Sequence, residues 1–240
     1  MFISRLFLEL LFFFSAGHAN HIHKIHVQLG DTNVVVEKIQ HGQGQAFVHV
    51  HQNETTALQA AHAVINTEGG SLVTLRHPGG RNIVFTLDKV RYEFDPNRMF
   101  TDVGIEKTLK QFGPYSAEAH RAVAMLASYV KAALPSNQTV IAVHNNQTYS
   151  LREYYPGASL ASEAAALHVP QPKAHRNFYL VTQKTEYMRL KQLKFNSVLQ
   201  ASSTDDDGSL SVYLASKRYV NVEAGFDQLA AQINMLRSLT

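Results

Sequence analysis

Two hydrophobic rhythms alternate along this chain. His21-Ile-His-Lys-Ile-His-Val27 repeats every second residue and predicts a strand. Gly42 and Gly44 mark a turn, and Ala46 to Val50 is a continuous apolar run of the buried-strand type. Thr55 to Thr67 then shifts to the helical period, with Ala57, Leu58, Ala61, Val64 and Ile65 on one face and Gly69-Gly70 as its stop. Ser71 to Leu75 predicts a strand, Pro78-Gly79-Gly80 a turn, and Arg81 to Leu87 another strand. Arg91 to Asn97 leads into a loop. Ser116 caps a long helix that runs to Leu134 and stops at Pro135. Thr139 to Val143 is again a buried-strand run. Tyr149 to His168 is mixed, with room for a short helix. Phe178 to Thr182 predicts a strand, Thr185 to Leu193 a helix and Val198 to Ala201 a short strand. Asp205 to Gly208 is a loop, and Ser209 to Ser216 reads equally as helix or strand. Tyr219 to Val222 predicts a strand, and Phe226 to Leu239 a terminal amphipathic helix.

Strands alternating with helices predict an α/β fold: a mixed, largely parallel sheet flanked by helices in a single domain. No internal repeat and no linker divides the chain. In such sheets ligands collect at the carboxyl ends of strands. Three residues stand at those ends. His51, His144 and Glu223 each follow the last apolar residue of a predicted strand.

Composition narrows this picture. With 240 residues and 45% hydrophobic content, the chain can bury one sizeable core. A net charge of +3 without a basic block argues against nucleic acid as the main partner. Residues 1–19 read as a secretory signal peptide. Arg5 is its positive region, and Leu6 to Phe14 is apolar, though interrupted by Glu9 and too short to span a bilayer. Gly17-His18-Ala19 offers small residues where a signal peptidase reads. Cleavage after Ala19 leaves a domain of residues 20–240 with no stable membrane span. A cysteine-free exported chain fits a bacterial periplasm better than a disulfide-stapled secreted module. It also leaves histidine and carboxylate as the available zinc ligands, a donor set suited to a catalytic site.

His51-x-x-Glu54 sits at the strand-to-helix turn after Val50. An imidazole and a carboxylate so spaced can hold one side of a zinc ion. Taken by themselves they are also an ordinary helix-start carboxylate beside a histidine. The rest of the chain adds Arg81, Asp95-Pro-Asn97-Arg98, His144-Asn145 and Glu223, in that order. This order resembles the zinc metallocarboxypeptidase fold family, including its aspartoacylase and succinylglutamate desuccinylase branch. That branch typically carries His-Gly-Asn-Glu and Asp-Leu-Asn-Arg, close to His51-Gln-Asn-Glu54 and Asp95-Pro-Asn-Arg98 here. The resemblance runs from about His51 to the final helix.

The resemblance implies roles. His51, Glu54 and His144 would hold Zn2+ and leave a position to water, whose pKa zinc brings from about 15.7 toward about 7. Glu223 would be the general base. Arg81 matches the peptidase spacing of the carbonyl-polarising arginine, and Arg91 the acylase spacing; sequence leaves both open. Asn97 and Arg98 would bind a substrate carboxylate, Arg98 as a two-pronged donor.

The chain also departs from the family. The peptidases place a mobile tyrosine immediately before Gly-Ser over the substrate. At Asp207-Gly208-Ser209 this chain has Asp207, a carboxylate that favours a cationic substrate group and repels an anionic one. The chain is also shorter than the digestive peptidases, which predicts reduced covering loops.

The expected function is an exported zinc hydrolase that cuts an amide bond beside a carboxylate. A periplasmic carboxypeptidase acting on peptides, such as peptidoglycan stem peptides, comes first. A deacylase of N-acyl amino acids comes second, and a non-catalytic zinc or peptide-binding module third. The leader itself is testable: protein purified from its native envelope should begin at or near Asn20. An intact Met1 terminus on a cytosolic protein would remove the periplasmic reading.

Overall fold

The structure, a computed structural model, describes residues 21–239. The expected leader lies outside the described residues. Among the described residues, eleven strands and six helices follow one another, with short 3-10 turns between some of them: β1 (His21–Leu29), β2 (Thr32–His41), β3 (Gln45–His49), α1 (Thr55–Glu68), β4 (Gly70–Arg76), β5 (Ile83–Leu87), β6 (Val90–Phe94), α2 (Asp102–Phe112), α3 (Ala117–Ala133), β7 (Val140–Asn146), β8 (Ala164–His168), β9 (Phe178–Val181), α4 (Lys184–Gln192), β10 (Ser197–Gln200), α5 (Leu210–Tyr213), β11 (Tyr219–Gly225) and α6 (Leu229–Arg237).

Nine strands form one sheet in the order β1-β2-β4-β3-β7-β11-β9-β10-β8. Its centre, β4-β3-β7-β11, is parallel, while the β1-β2-β4 flank is antiparallel. On the other side β9 runs antiparallel to β11. This is the expected mixed α/β sheet.

Both faces are covered, which explains the unbroken apolar runs of the central strands. Along β7, Val140 and Ala142 face one core with α2, α3 and the β5-β6 hairpin. Ile141 and Val143 face a second core with α1, α4 and α6. Strand alternation therefore serves two cores at once. One consequence reaches the site directly. His144 continues on the first face and Asn145 on the second.

Several elements were absent from the sequence reading or took another form. β2 is β-branched in Val34, Val35 and Val36, but Glu37 and Lys38 interrupt it. Pairing accommodates them: Glu37 is buried beneath Lys24 and Arg76, which neutralise it from the flanking strands. β6 occupies the stretch expected to lead into a loop. It pairs with β5 through a two-residue turn, Asp88-Lys89, with positive φ at both positions (47° and 66°). The turn lacks the glycine that usually advertises it. β5 starts at Ile83, so Arg81 lies in the preceding turn. β8 ends the stretch read as holding a short helix, and Ser209 to Ser216 resolves into the short helix α5.

α2 was hidden because Gly104 lies inside it, a residue that weakens helices by about 1 kcal/mol relative to alanine. Packing requires that glycine. A Cβ on Gly104 would stand 2.1 Å from Gly208 Cα, and Gly208 (φ +79°) is itself pressed against the Arg98 carbonyl. Phe100 N–H also donates to Gly208 O at 2.9 Å. The Asp205–Gly208 loop is thereby fixed on the turn that carries Arg98. Gly104→Ala should overpack this contact and destabilise the fold by about 1–3 kcal/mol. A denaturant midpoint equal to that of the parent protein would show that the loop yields freely.

Candidate active site

The site begins with a turn. β3 ends at His49, His51 follows, and the Glu54 N–H donates to His51 O at 3.0 Å. That bond folds the chain back so that both side chains point to one place: His51 Nδ1 lies 3.0 Å from Glu54 Oε1. β7 supplies the third group. His144 Nδ1 stands 2.9 Å from Glu54 Oε2 and 3.2 Å from His51 Nδ1. All three are buried, at 0%, 1% and 3% exposure for His51, Glu54 and His144.

Donor atoms of this chemistry fit a zinc ion. Tetrahedral zinc with bonds of about 2.0–2.1 Å separates its donors by roughly 3.3 Å. Here the two imidazole Nδ1 atoms stand 3.2 Å apart, His51 Nδ1 lies 3.0 Å from Glu54 Oε1 and His144 Nδ1 2.9 Å from Glu54 Oε2, and one donor atom from each residue lies within 4.8 Å of the others. The surroundings fit as well. His51 Nε2–H donates to Asp95 Oδ1 at 2.7 Å, which leaves Nδ1 as the atom facing the cluster. A carboxylate behind a ligating imidazole is the usual second layer of such sites.

Electrostatics follow from burial and from this packing. Burial alone would raise the Glu54 pKa. The charges of His51 and His144 outweigh it and hold the carboxylate well below its usual range. Burial likewise opposes protonation of His51, but Glu54 and then Asp95 overcome it and raise its pKa to about 9. Asp95 is also held low: burial is outweighed by His51, then by Arg81 and Arg98. A metal ion held by His51, Glu54 and His144 would stand in for the proton that otherwise joins these groups.

Glu54 has two further donors. Arg81 Nη1 donates to Oε1, and the Asn145 N–H donates to Oε2 at 3.1 Å. The Asn145 side chain points the other way. Its Oδ1 accepts from the Ala57 N–H at 2.7 Å, satisfying a free donor in the first turn of α1. Its Nδ2 donates to Gln232 Oε1 at 2.9 Å, and Gln232 Nε2 donates to His144 O at the same distance. His49 is held similarly, with Nδ1 3.0 Å from Thr74 Oγ1 and Nε2 3.0 Å from Glu54 O. Burial lowers its pKa to about 4, and both ring nitrogens are engaged. It ties the turn together and does not join the cluster.

A cavity of about 590 Å³ opens on the cluster. Arg81, Asn97, Arg98, Asp207 and Glu223 line it together with Glu54 and His144. Arg81 also reaches Asp95 Oδ2 at 3.5 Å. Arg91 does not line the cavity: it lies exposed on β6 and pairs with Glu93 at 2.6 Å. Of the two arginines that sequence left open, the fold brings Arg81 to the cavity and not Arg91. Asn97 Oδ1 accepts from the Leu210 N–H at 3.3 Å, and Arg98 Nη2 stands 3.4 Å from Asp207 Oδ2. Glu223 pairs in register with His144 across β11 and β7, so both side chains stand on one sheet face. Its Oε1 accepts from Asn221 Nδ2 at 3.1 Å and its Oε2 from Asn146 Nδ2 at 3.0 Å.

Sequence reasoning gave no role to Asp95, Asn145, Asn146 or Asn221. Asp95 and Asn145 stood inside quoted motifs. Asn221 was legible by strand period, two residues before Glu223 and thus on its face. Asn146 also lies two residues from a site residue, His144, but past the apolar run that marked the strand.

No family model and no curated protein matches the chain. Among solved structures it is similar to the crystal structure of an aspartoacylase family protein from Mesorhizobium loti. The identity is 14%, the TM-score 0.42, and the match covers 92% of this chain and 67% of that one. The functional reading rests on the side chains of the cavity.

The metal reading is directly testable. The purified chain should take up about one zinc and gain thermal stability as zinc is added, because the ion binds the folded state alone. His144→Ala should lose most of that uptake. Full zinc retention in this variant, read by elemental analysis, would mean that other residues hold the ion.

Proposed function

We propose that this chain hydrolyses an amide bond lying beside a carboxylate, with zinc held by His51, Glu54 and His144. One observation carries the reading. Glu54 and His144 of the three-donor cluster, two arginines and a buried glutamate that is not one of the donors line a single cavity, with His51 buried behind them. When bound, zinc supplies Lewis-acid activation of water and of the amide carbonyl.

The protein's own groups do the rest. Glu223 takes a proton from the attacking water as its oxygen bonds to the carbonyl carbon. It then delivers that proton to the amide nitrogen as the C–N bond breaks, leaving a carboxylic acid and a free amine; the acid then gives up its remaining proton to the amine. Asn146 and Asn221 keep the Glu223 oxygens aimed. Arg81, fixed by Glu54 and Asp95, meets the negative charge that develops on the carbonyl oxygen. Asn97 and Arg98 hold the substrate carboxylate and thereby place the scissile bond.

Peptides with a free C-terminus present this arrangement, so carboxypeptidase remains the first reading. The apolar leader expected in residues 1–19 would direct it to envelope peptides such as peptidoglycan stems. A deacylase of N-acyl amino acids is the second reading, favoured by the Asn53-Glu54 pair and by Asp95, Asn97 and Arg98.

Glu223→Gln tests the chemistry. Glutamine keeps the size and much of the hydrogen bonding but cannot accept the proton. It should retain zinc and substrate affinity while losing about 10²–10⁴-fold in turnover. Turnover equal to wild type would remove Glu223 from the mechanism. In the same assays, amidating the substrate carboxylate should depress wild-type cleavage, and equal cleavage of the amide would point instead to an endopeptidase or amidase.

A further inference from the structure

The charge inventory of the cavity names a narrower substrate. Two guanidinium groups line it, Arg81 and Arg98, against the carboxylates of Glu54, Glu163, Asp205, Asp207 and Glu223. Arg81 is committed to Glu54 and Asp95. Glu54 belongs to the metal cluster, and Glu223 is held by two asparagines. Around the remaining space stand Arg98, Asp207, Glu163 and Asp205. Among the described residues, neither the Glu163 nor the Asp205 carboxylate has an ion pair or hydrogen bond.

Arg98 and Asp207 form a loose pair. Nη2 to Oδ2 is 3.4 Å, and both side chains are more than a third exposed. Arg98 Nη1 donates only to the adjacent Asn97 O at 3.0 Å, so most of its donors are available. Asp207 is fixed, because its Oδ1 accepts from the Ser209 N–H at 2.8 Å and its loop is locked on α2 through Gly208 and Gly104. A cation and an anion therefore stand side by side, and two further carboxylates, Glu163 and the exposed Asp205, line the same cavity.

We infer that the substrate's carboxylate-bearing half is a zwitterion, an amino acid with a positively charged amine on its side chain. Its carboxylate takes Arg98, and its ammonium takes Asp207 with Glu163 and Asp205. The inference rests on the amide-hydrolase reading and sharpens it. A second carboxylate on the leaving half, as in an N-acyl glutamate, would face three carboxylates in a partly enclosed space and be repelled.

The experiment uses the zinc-treated full chain and three matched leaving groups, lysine, norleucine and glutamate, each racemic. Each is offered as its alanyl and N-acetyl derivative, and also as the free amino acid in a binding titration. Lysine derivatives should be cleaved at least tenfold more efficiently than norleucine derivatives, with glutamate last, and free lysine should bind in the same order. Asp207→Asn combined with Glu163→Gln should narrow the lysine-to-norleucine ratio by about tenfold, the scale of one lost charge contact. If norleucine or glutamate derivatives are cleaved as well as lysine ones, the inference falls and the hydrolase stands. If free lysine binds preferentially but no amide is cut, the hydrolase reading falls and the ligand class stands. If nothing binds and nothing is cut, both fall.

Discussion

A carboxylate removed from water is tolerated only when other groups replace its solvation, and Glu54 is the point where this protein meets that condition. Two imidazoles, one guanidinium and one backbone N–H converge on its two oxygens. These donors come from the turn after β3, from the end of β7 and from the turn before β5. None of those segments is close to all the others in sequence, so the carboxylate is satisfied only in the finished fold. Removing any one donor leaves the remaining charge underpaired at a buried position, which is why the cluster behaves as a unit.

The same residues connect the site to both layers of the sandwich. Asn145 reaches Glu54 with its backbone and the first turn of α1 with its side chain, while Gln232 of α6 closes the circuit onto His144. On the opposite face, the outer helix α2 holds the acidic loop against Arg98 through a glycine-on-glycine contact. Helices that never touch the cavity therefore set the distances inside it. Rigid elements hold a constellation more accurately than loops do, and here even the loop borrows its rigidity from α2.

Legibility in the sequence followed physical strength of signal. The central strands were readable because burial on both faces leaves uninterrupted apolar runs, and those runs ended on His51, His144 and Glu223. α1 and α3 were readable from their apolar faces and stop signals. β2 was obscured by Glu37, whose charge is matched only by neighbours from β1 and β4 that pairing brings into place. α2 and β6 were obscured because one contains a glycine that packing demands and the other follows a turn without glycine. In the site, the choice between Arg81 and Arg91 was a matter of three-dimensional position. Both lie at plausible spacings before Asn97, but the β5-β6 hairpin points Arg91 at Glu93 and away from the cavity. Asn146 shares a strand face with His144 two residues before it, but it lies past the apolar run that marked β7 and its importance comes from register with β11.

Register has a further consequence. Along β7, His144 and Asn145 are neighbours with opposite duties, one facing the cluster and the other facing α1 and α6. A strand repeats every two residues, so a slip by one position exchanges the two faces. Such a misfold would put an imidazole between helices and an amide at the donor cluster, and on β11 the same slip would turn Glu223 into the second core. The error would be costly on both sides of the sheet simultaneously, since each core would gain an unpaired polar group. The alignment that satisfies Glu54 is thus also the alignment that builds the fold.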